Sequence, residues 1–240
     1  MIMQINELVE RSPVRIFMNS IHGGLEAGEI GLVASRSGLG KTSVLVQFAL
    51  DKLLRGKKVI HVSFVKHTDH VLAWYEDIFD EFISKKNLEN EAEVKNNIVK
   101  NRVLMHFNQE GVSIDQIFGS LKAMIKDGCF DANCVIVDGY NFSASDGAGL
   151  GRVREFAKEL GISVWYSCNV EGAADSGAVN CDDQKIPLAV RDYSDMFKVI
   201  INLEENKDHI ALTVPRNGGQ SNPAGTALCL DPKTLLIIKE

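Results

Sequence analysis

Apolar positions along the chain follow two periods in alternation. Residues 29–34 (EIGLVA) form a short apolar run that predicts a strand, and over 41–55 Val44, Leu45, Phe48, Ala49 and Leu53 recur at helical spacing. Residues 58–64 (KVIHVSF) predict a second strand. Thr68 is placed to cap a helix over 69–85, with Leu72, Tyr75, Ile78, Phe79 and Phe82 on one stripe. Residues 87–101 are polar and rich in Asn and Glu, a loop or a solvent-facing helix. Strands follow at 103–107 (VLMHF), 134–138 (CVIVD) and 162–168 (ISVWYSC), with helices near 113–126 and 151–160.

A strand such as CVIV, apolar at every position, implies burial on both faces, as in a parallel sheet covered by helices. The last third changes character: 196–203, 209–215, 226–231 and 234–239 read as strands joined by short polar turns. Asn217-Gly218 and Asp231-Pro232 suit hairpin connections. The expected fold is therefore α/β, a central and mostly parallel sheet flanked by helices with antiparallel strands at the C-terminal end. No repeat or Pro/Ser-rich linker divides the chain, so residues 1–240 are expected to form one domain, with 1–20 as an N-terminal extension.

Composition narrows the class. The 240 residues are 45% hydrophobic and 24% charged, enough to bury a core without disulfides or metals. The net charge of −6, from 26 basic and 32 acidic residues, gives no sign of a protein that coats a polyanion. No apolar stretch approaches the roughly 18 residues of a membrane span, and the beginning of the chain, MIMQINELVERSPVR, lacks the apolar core of a secretory signal. Five cysteines without a CxxC pair are expected to be reduced, as in a cytoplasm.

The chemistry concentrates at residues 35–43, SRSGLGKTS, between a predicted strand and an amphipathic helix. The phosphate-binding pattern GxxxxGK[ST] is met at Gly40, Lys41 and Thr42, while Ser35 replaces the first glycine. Gly38 and Gly40 let backbone N–H groups turn inward around phosphate oxygens, and the helix that follows adds the positive end of its dipole. The nine residues Ser35, Arg36, Ser37, Gly38, Leu39, Gly40, Lys41, Thr42 and Ser43 are thus the candidate cradle. Lys41 can reach terminal phosphates, and the Thr42 hydroxyl can ligate Mg²⁺. A second magnesium-side carboxylate is expected at the end of a buried strand beside the loop, and Asp138 of CVIVDG supplies it; the plainer reading is a strand-end cap.

These features resemble the RecA-like ATPases, in the branch that holds KaiC-type proteins and DnaB-type helicases. HGGLEAGEIGLVASRSGLGKT is similar to that branch's approach to its phosphate loop, where a small residue followed by Arg often opens the motif. REFAKELGISVWYSCNV is similar to the helix and strand that end in a sensor glutamine, DYSDMFKVIINLEENKDHIALTVPRNGG to the penultimate strands with their Arg-containing hairpin, and GTALCLDPKTLLIIKE to the closing hairpin. The resemblance spans residues 22–240 and implies a RecA-like three-layer sandwich, ATP and Mg²⁺ as ligands, and assembly with further copies. No helicase-type accessory domain is expected in the 20 or so residues upstream.

The same resemblance marks departures. The catalytic Glu expected just after the second strand falls at Val65, within VSFVKHT (62–68). Asp69 and Glu76 are the candidate substitutes for that base. Asn169 takes the place of the sensor glutamine and is one methylene shorter, with a strand-end cap as its competing role. Arg216 aligns with an arginine finger that reaches a neighbour's nucleotide, or is a solvated residue of a hairpin; the lysine usual two positions earlier is Val214. The catalytic set implied is Lys41, Asp138, Asn169 and Arg216, with Thr42 and Asp138 at the metal. His67 and His70 lack a third metal ligand nearby and read as solvated. Trp74 and Tyr75 read as packing or subunit-contact residues. The segment after Asn169 carries Glu171, Asp175, Asp182 and Asp183 against Lys185 alone, so nucleic acid is not expected to bind there. Two functions follow: an ATP-binding switch or assembly module with weak or absent hydrolysis, or an oligomeric ATPase motor of the DNA repair or helicase type.

Overall fold

A computed structural model describes residues 9–10, 12–64, 68–84, 90–108, 111–142, 147–170, 180–218, 220–221 and 225–239. Its centre is a ten-stranded sheet: β1 (Ile30–Ser35), β2 (Val59–Ser63), β3 (Arg102–His106), β4 (Cys134–Asp138), β5 (Ser163–Asn169), β6 (Val199–Glu205), β7 (Ile210–Asn217), β8 (Gln220–Ser221), β9 (Gly225–Leu230) and β10 (Ile237–Lys239). The spatial order is β10-β9-β7-β6-β1-β5-β4-β2-β3, with β8 paired to β7. From β6 to β3 every pair is parallel, and the remaining pairs are antiparallel. The fold is therefore α/β, with the mostly parallel core and antiparallel C-terminal strands that the apolar pattern predicts.

One expectation about strand order needs correction. The Asp138 strand, β4, does not lie beside β1; β5 runs between them and pairs with both. Strand neighbours are chosen by long-range pairing, which a local apolar run does not encode. Because the strands are parallel, Ser35, Ser63, Asp138 and Asn169 all end on one edge, with Ser35 opposite Asn169 and Ser63 opposite Asp138. Carboxyl ends of parallel strands are where α/β sheets bind ligands.

Helices cover both faces. On one side lie α1 (Pro13–Ser20), α2 (Lys41–Leu54), α3 (Thr68–Ser84) and α4 (Glu91–Lys100), whose buried side chains form one core cluster. On the other, α5 (Ile114–Lys122), extended by a π turn over Ala123–Asp127, packs with α6 (Gly147–Leu160) and the 3₁₀ segment Leu188–Met196. The α2 stripe of Val44, Leu45, Phe48, Ala49 and Leu53 is buried as expected, and Val46, Gln47, Leu50 and Asp51 are buried too, because α2 is roofed by α1 and α3.

The extension is not wholly an extension. Ser12 caps α1 by accepting from the Arg15 N–H, and Pro13 sits where a missing N–H costs nothing. Phe17 of α1 stacks on Phe48 at 5.8 Å, and Phe48 leans on Trp165 of β5 at 4.9 Å. Trp165 in turn lies over Gly31, its register partner on β1, where any Cβ would come within 2.5 Å of the indole ring. Burying aromatic side chains of this kind stabilises by about 1.5–3 kcal/mol each, so α1 belongs to the core.

Residues 87–101, left open between loop and helix, contain α4, which presents Val94 and Ile98 to the core. Helix α6 starts at Gly147, ahead of the expected 151. The α3 stripe is Val71, Tyr75, Ile78, Phe79 and Ile83 with Phe82 half-buried, whereas Leu72 is exposed. The strand expected over 234–239 is shorter, because Asp231–Leu236 forms the turn into β10. Among the described residues no helix is long and apolar enough to cross a membrane.

Candidate functional site

The loop between β1 and α2 turns through two left-handed glycines, Gly38 at φ 84° and Gly40 at φ 92°. A side chain at either position would be strained, and around Gly38 a Cβ would meet nothing within 4 Å. Gly40 is the N-cap of α2, so the amides of Lys41, Thr42 and Ser43 have no partner within the helix. They open on a cleft of about 720 Å³ at the carboxyl ends of the strands, within the range of roughly 300–1,000 Å³ typical of ligand sites.

Ser37, Gly38, Gly40, Lys41, Thr42 and Ser43 line this cleft, with Asp138 and Asn169. The structure thus brings together the loop, the β4 carboxylate and the β5 amide. Thr42 Oγ1 donates to Asp138 Oδ2 at 2.8 Å, across 96 positions of sequence. Asp138 is held from both sides: the Phe64 N–H donates to its carbonyl, and the Gly139 N–H donates to Ser167 Oγ at 2.7 Å. Asn169 Oδ1 accepts from Lys41 Nζ at 3.4 Å.

Other members of the candidate cradle do different work. Ser35 is buried at the end of β1, behind Lys41. Arg36 turns to Glu205 on β6, at 3.1 Å, and Leu39 does not line the cleft. The Ser43 hydroxyl donates to Leu235 O at 2.8 Å, so it ties α2 to the C-terminal turn. Gln47 strengthens that tie: its Nε2 donates to Leu235 O and its Oε1 accepts from the Ile237 N–H, both at 2.9 Å.

Lys41 sits in a dry place for an ammonium. Burial pushes its pKa down to about 8, opposed by the charge of Asp138. The Cys168 thiol beside it is buried and pushed up to about 12 by the same desolvation, which leaves it neutral. All five cysteines are free.

The chain matches no family model and no curated protein.

Asp138 is the only carboxylate among the described residues that line the cleft. Glu76 is exposed and acts on Arg102, away from the loop. Val65, His67 and the Asp69 side chain lie outside the described residues, as do Glu171 and Asp175. Asp182 is spent locally, accepting from the Gln184 and Ile186 N–H groups. Arg216 does not reach its own chain's cleft: it is half-buried on β7, and its Nε donates to Phe197 O at 3.0 Å.

Other residues of the lining lie outside the candidate cradle. Trp74, expected to pack, forms part of the cleft wall while also resting on the core. Tyr140 and Phe142 line the cleft, each with its ring against that of Tyr166, and Leu235 lines it as well. Tyr140 and Phe142 were legible, since they follow Asp138 directly. Leu235 had no signal, because only the C-terminal turn carries it to the loop.

A cation here would find two hard oxygens, Thr42 Oγ1 and Asp138 Oδ2, already adjacent. No group of three or more His, Cys, Asp or Glu side chains gathers among the described residues. Such a cation would therefore share its remaining positions with water and ligand oxygens, as Mg²⁺ commonly does.

Proposed function

We propose that this chain is a RecA-like P-loop protein that binds MgATP with weak or absent hydrolysis, and that it serves as a nucleotide-dependent switch or assembly module. The observation that carries this reading is the Thr42–Asp138 hydrogen bond at 2.8 Å, set at the mouth of a loop with left-handed glycines at 38 and 40. A loop that cradles phosphate needs open backbone amides, an ammonium and a paired hydroxyl and carboxylate for the cation. All of these converge on one cleft. The placement of β5 between the loop strand and β4, with Asn169 within 3.4 Å of Lys41, supports the RecA-like assignment of that residue as a phosphate sensor.

In this reading the α2 amides and Lys41 bind the terminal phosphates, and Thr42 with Asp138 holds the magnesium. Magnesium, when held by Thr42 and Asp138, would neutralise phosphate charge. Asn169 orients a terminal oxygen. Weak turnover is supported by the lining of the cleft: among the described residues Asp138 is the one carboxylate there, and it already accepts from Thr42.

Calorimetric titration with ATP and GTP, with and without Mg²⁺, tests the binding. The expected result is Mg²⁺-dependent ATP binding that is abolished in Lys41→Ala, followed by phosphate release near background. Absence of binding to either nucleotide overturns the reading, and fast unstimulated turnover overturns its second half in favour of an oligomeric ATPase.

A further inference from the structure

We propose that Leu235 is a positioning residue for the phosphate loop: its side chain, carried by a left-handed turn, lies against Gly40 and keeps the first turn of α2 shaped to receive a polyphosphate. This role rests on the nucleotide-binding reading and adds to that site a residue that the loop pattern does not contain.

Among the described residues four other than glycine adopt positive φ, namely His22, Cys129, Lys185 and Leu235, and Leu235 is the one that lines the cleft. At its φ of 53° the Cβ crowds the backbone, a cost that glycine avoids and asparagine tolerates. A bulky side chain persists there only when its surroundings hold it. Asp231 holds it from one side. Its carbonyl accepts from the Leu235 N–H at 2.7 Å, its Oδ2 from the Thr234 hydroxyl at 2.9 Å and its Oδ1 from the Lys233 N–H at 3.0 Å. From the other side Ser43 and Gln47, both buried on α2, donate to the Leu235 carbonyl.

Leu235 therefore meets α2 at two points. Its carbonyl takes the Ser43 hydroxyl, and its side chain reaches Gly40, where a Cβ would lie 3.5 Å from Leu235 Cδ2 and 3.4 Å from Leu230 Cδ1. Lys41 and Thr42, to which the proposed function assigns phosphate and magnesium, stand between the two contacts.

Glycines give the loop more backbone freedom than other residues would. A residue ordered only at the moment of binding subtracts from affinity. A side chain packed on Gly40 orders the loop during folding instead. Asparagine or glycine at 235 would suit the turn better and would withdraw the Leu235 methyl groups from Gly40. What the side chain touches thus explains a leucine that the backbone disfavours.

The test is titration of wild type, Leu235→Asn, Leu235→Gly and Leu235→Met with MgATP and with magnesium tripolyphosphate, beside urea unfolding of each. Asparagine and glycine both suit the left-handed turn, so one reports if the other folds poorly. Both variants are expected to bind both ligands about five- to thirtyfold more weakly, the effect of leaving a residue of the loop to be ordered on binding. The urea midpoint of Leu235→Asn is expected to stay near that of wild type, because relief of the left-handed strain offsets the lost packing. Leu235→Met, which keeps a reach to Gly40, is expected to recover most of the affinity. Wild-type affinity for tripolyphosphate in the Asn and Gly variants overturns the positioning and leaves the nucleotide reading intact. A loss confined to MgATP also overturns it, since the leucine would then serve the nucleoside and not the loop. Unfolding of both variants, or a Met variant as weak as they are, assigns Leu235 a purely structural role and overturns it too. Failure of wild type to bind MgATP overturns the reading beneath it.

Discussion

Thr42 and Asp138 stand 2.8 Å apart, hydroxyl to carboxylate, although one begins α2 and the other ends β4. The bond ties the start of α2 to the end of β4 at the cleft, and it pairs the two oxygens that the proposed function assigns to magnesium. Replacing either oxygen should therefore act on the metal-dependent part of binding. Thr42→Ala and Asp138→Asn are expected to reduce the Mg²⁺-dependent increment of ATP affinity by about 10- to 100-fold, the range seen when a metal's supporting partners are disturbed. Titrations with and without Mg²⁺ check this, and an increment equal to wild type in both variants would detach these residues from the cation.

Turnover depends on a proton acceptor that the cleft lacks among its described residues. Val65→Glu places a carboxylate at the position that the RecA-like resemblance gives to the base. Phosphate release is expected to rise by about 10²–10⁴-fold, the contribution of a general base. A variant that binds MgATP normally and remains as slow as wild type would show that position 65 does not face the attacking water.

The approach of Trp165 to Gly31 makes the β1 backbone intolerant of a methyl group. A Cβ at Gly31 would sit 2.5 Å from the indole, so Gly31→Ala is expected to destabilise the fold by about 1–3 kcal/mol, as overpacking does. Trp165→Leu in the same chain should recover part of that loss. Urea unfolding of the two single variants and the double variant measures the coupling, and additive losses would place the strain elsewhere.

His61 introduces an acid sensitivity. It is fully buried on β2, hydrogen-bonded through Nδ1 to the Tyr75 hydroxyl, while its Nε2 has no partner among the described residues. Burial, aided by the Arg102 charge and opposed by Asp138, pushes its pKa from 6.5 down to about 4. Between those values the unfolded chain takes up a proton that the folded chain refuses, so stability falls as pH drops from 6.5 towards 4. The loss across that window is on the order of 3 kcal/mol. His61→Gln cannot titrate, and its unfolding free energy is expected to depend less steeply on pH over this range. Equal slopes in the two proteins would assign the sensitivity to another group.

Gln47 fastens the C-terminal turn to the phosphate-loop helix. Gln47→Ala leaves the buried N–H of Ile237 without its partner, while the Ser43 hydroxyl still donates to the Leu235 carbonyl, at an expected cost of about 1–3 kcal/mol. Hydrogen exchange at Ile237 reports it directly. Protection that matches wild type would mean that the turn is held by other contacts.

The sequence alone determined what depends on neighbours along the chain. Fully apolar β4, the buried stripe of α2, the glycines at 38 and 40 and the Asp at the end of CVIVD are local statements, because pleat, helical period and left-handed backbone are set over a few residues. Polar α4 was only half legible, since Val94 and Ile98 are a thin stripe on a charged helix, and Leu72 misled because apolar spacing does not say which flank of a stripe meets the core. Tertiary structure decided the rest. It placed β5 between the loop and Asp138, folded α1 onto Phe48, brought Leu235 to Ser43 and set the Lys41 ammonium against Ser35. Each of these is a pairing between distant segments, or a choice among competing acceptors. Such choices are made by packing and desolvation once the chain has folded, and no local pattern records them.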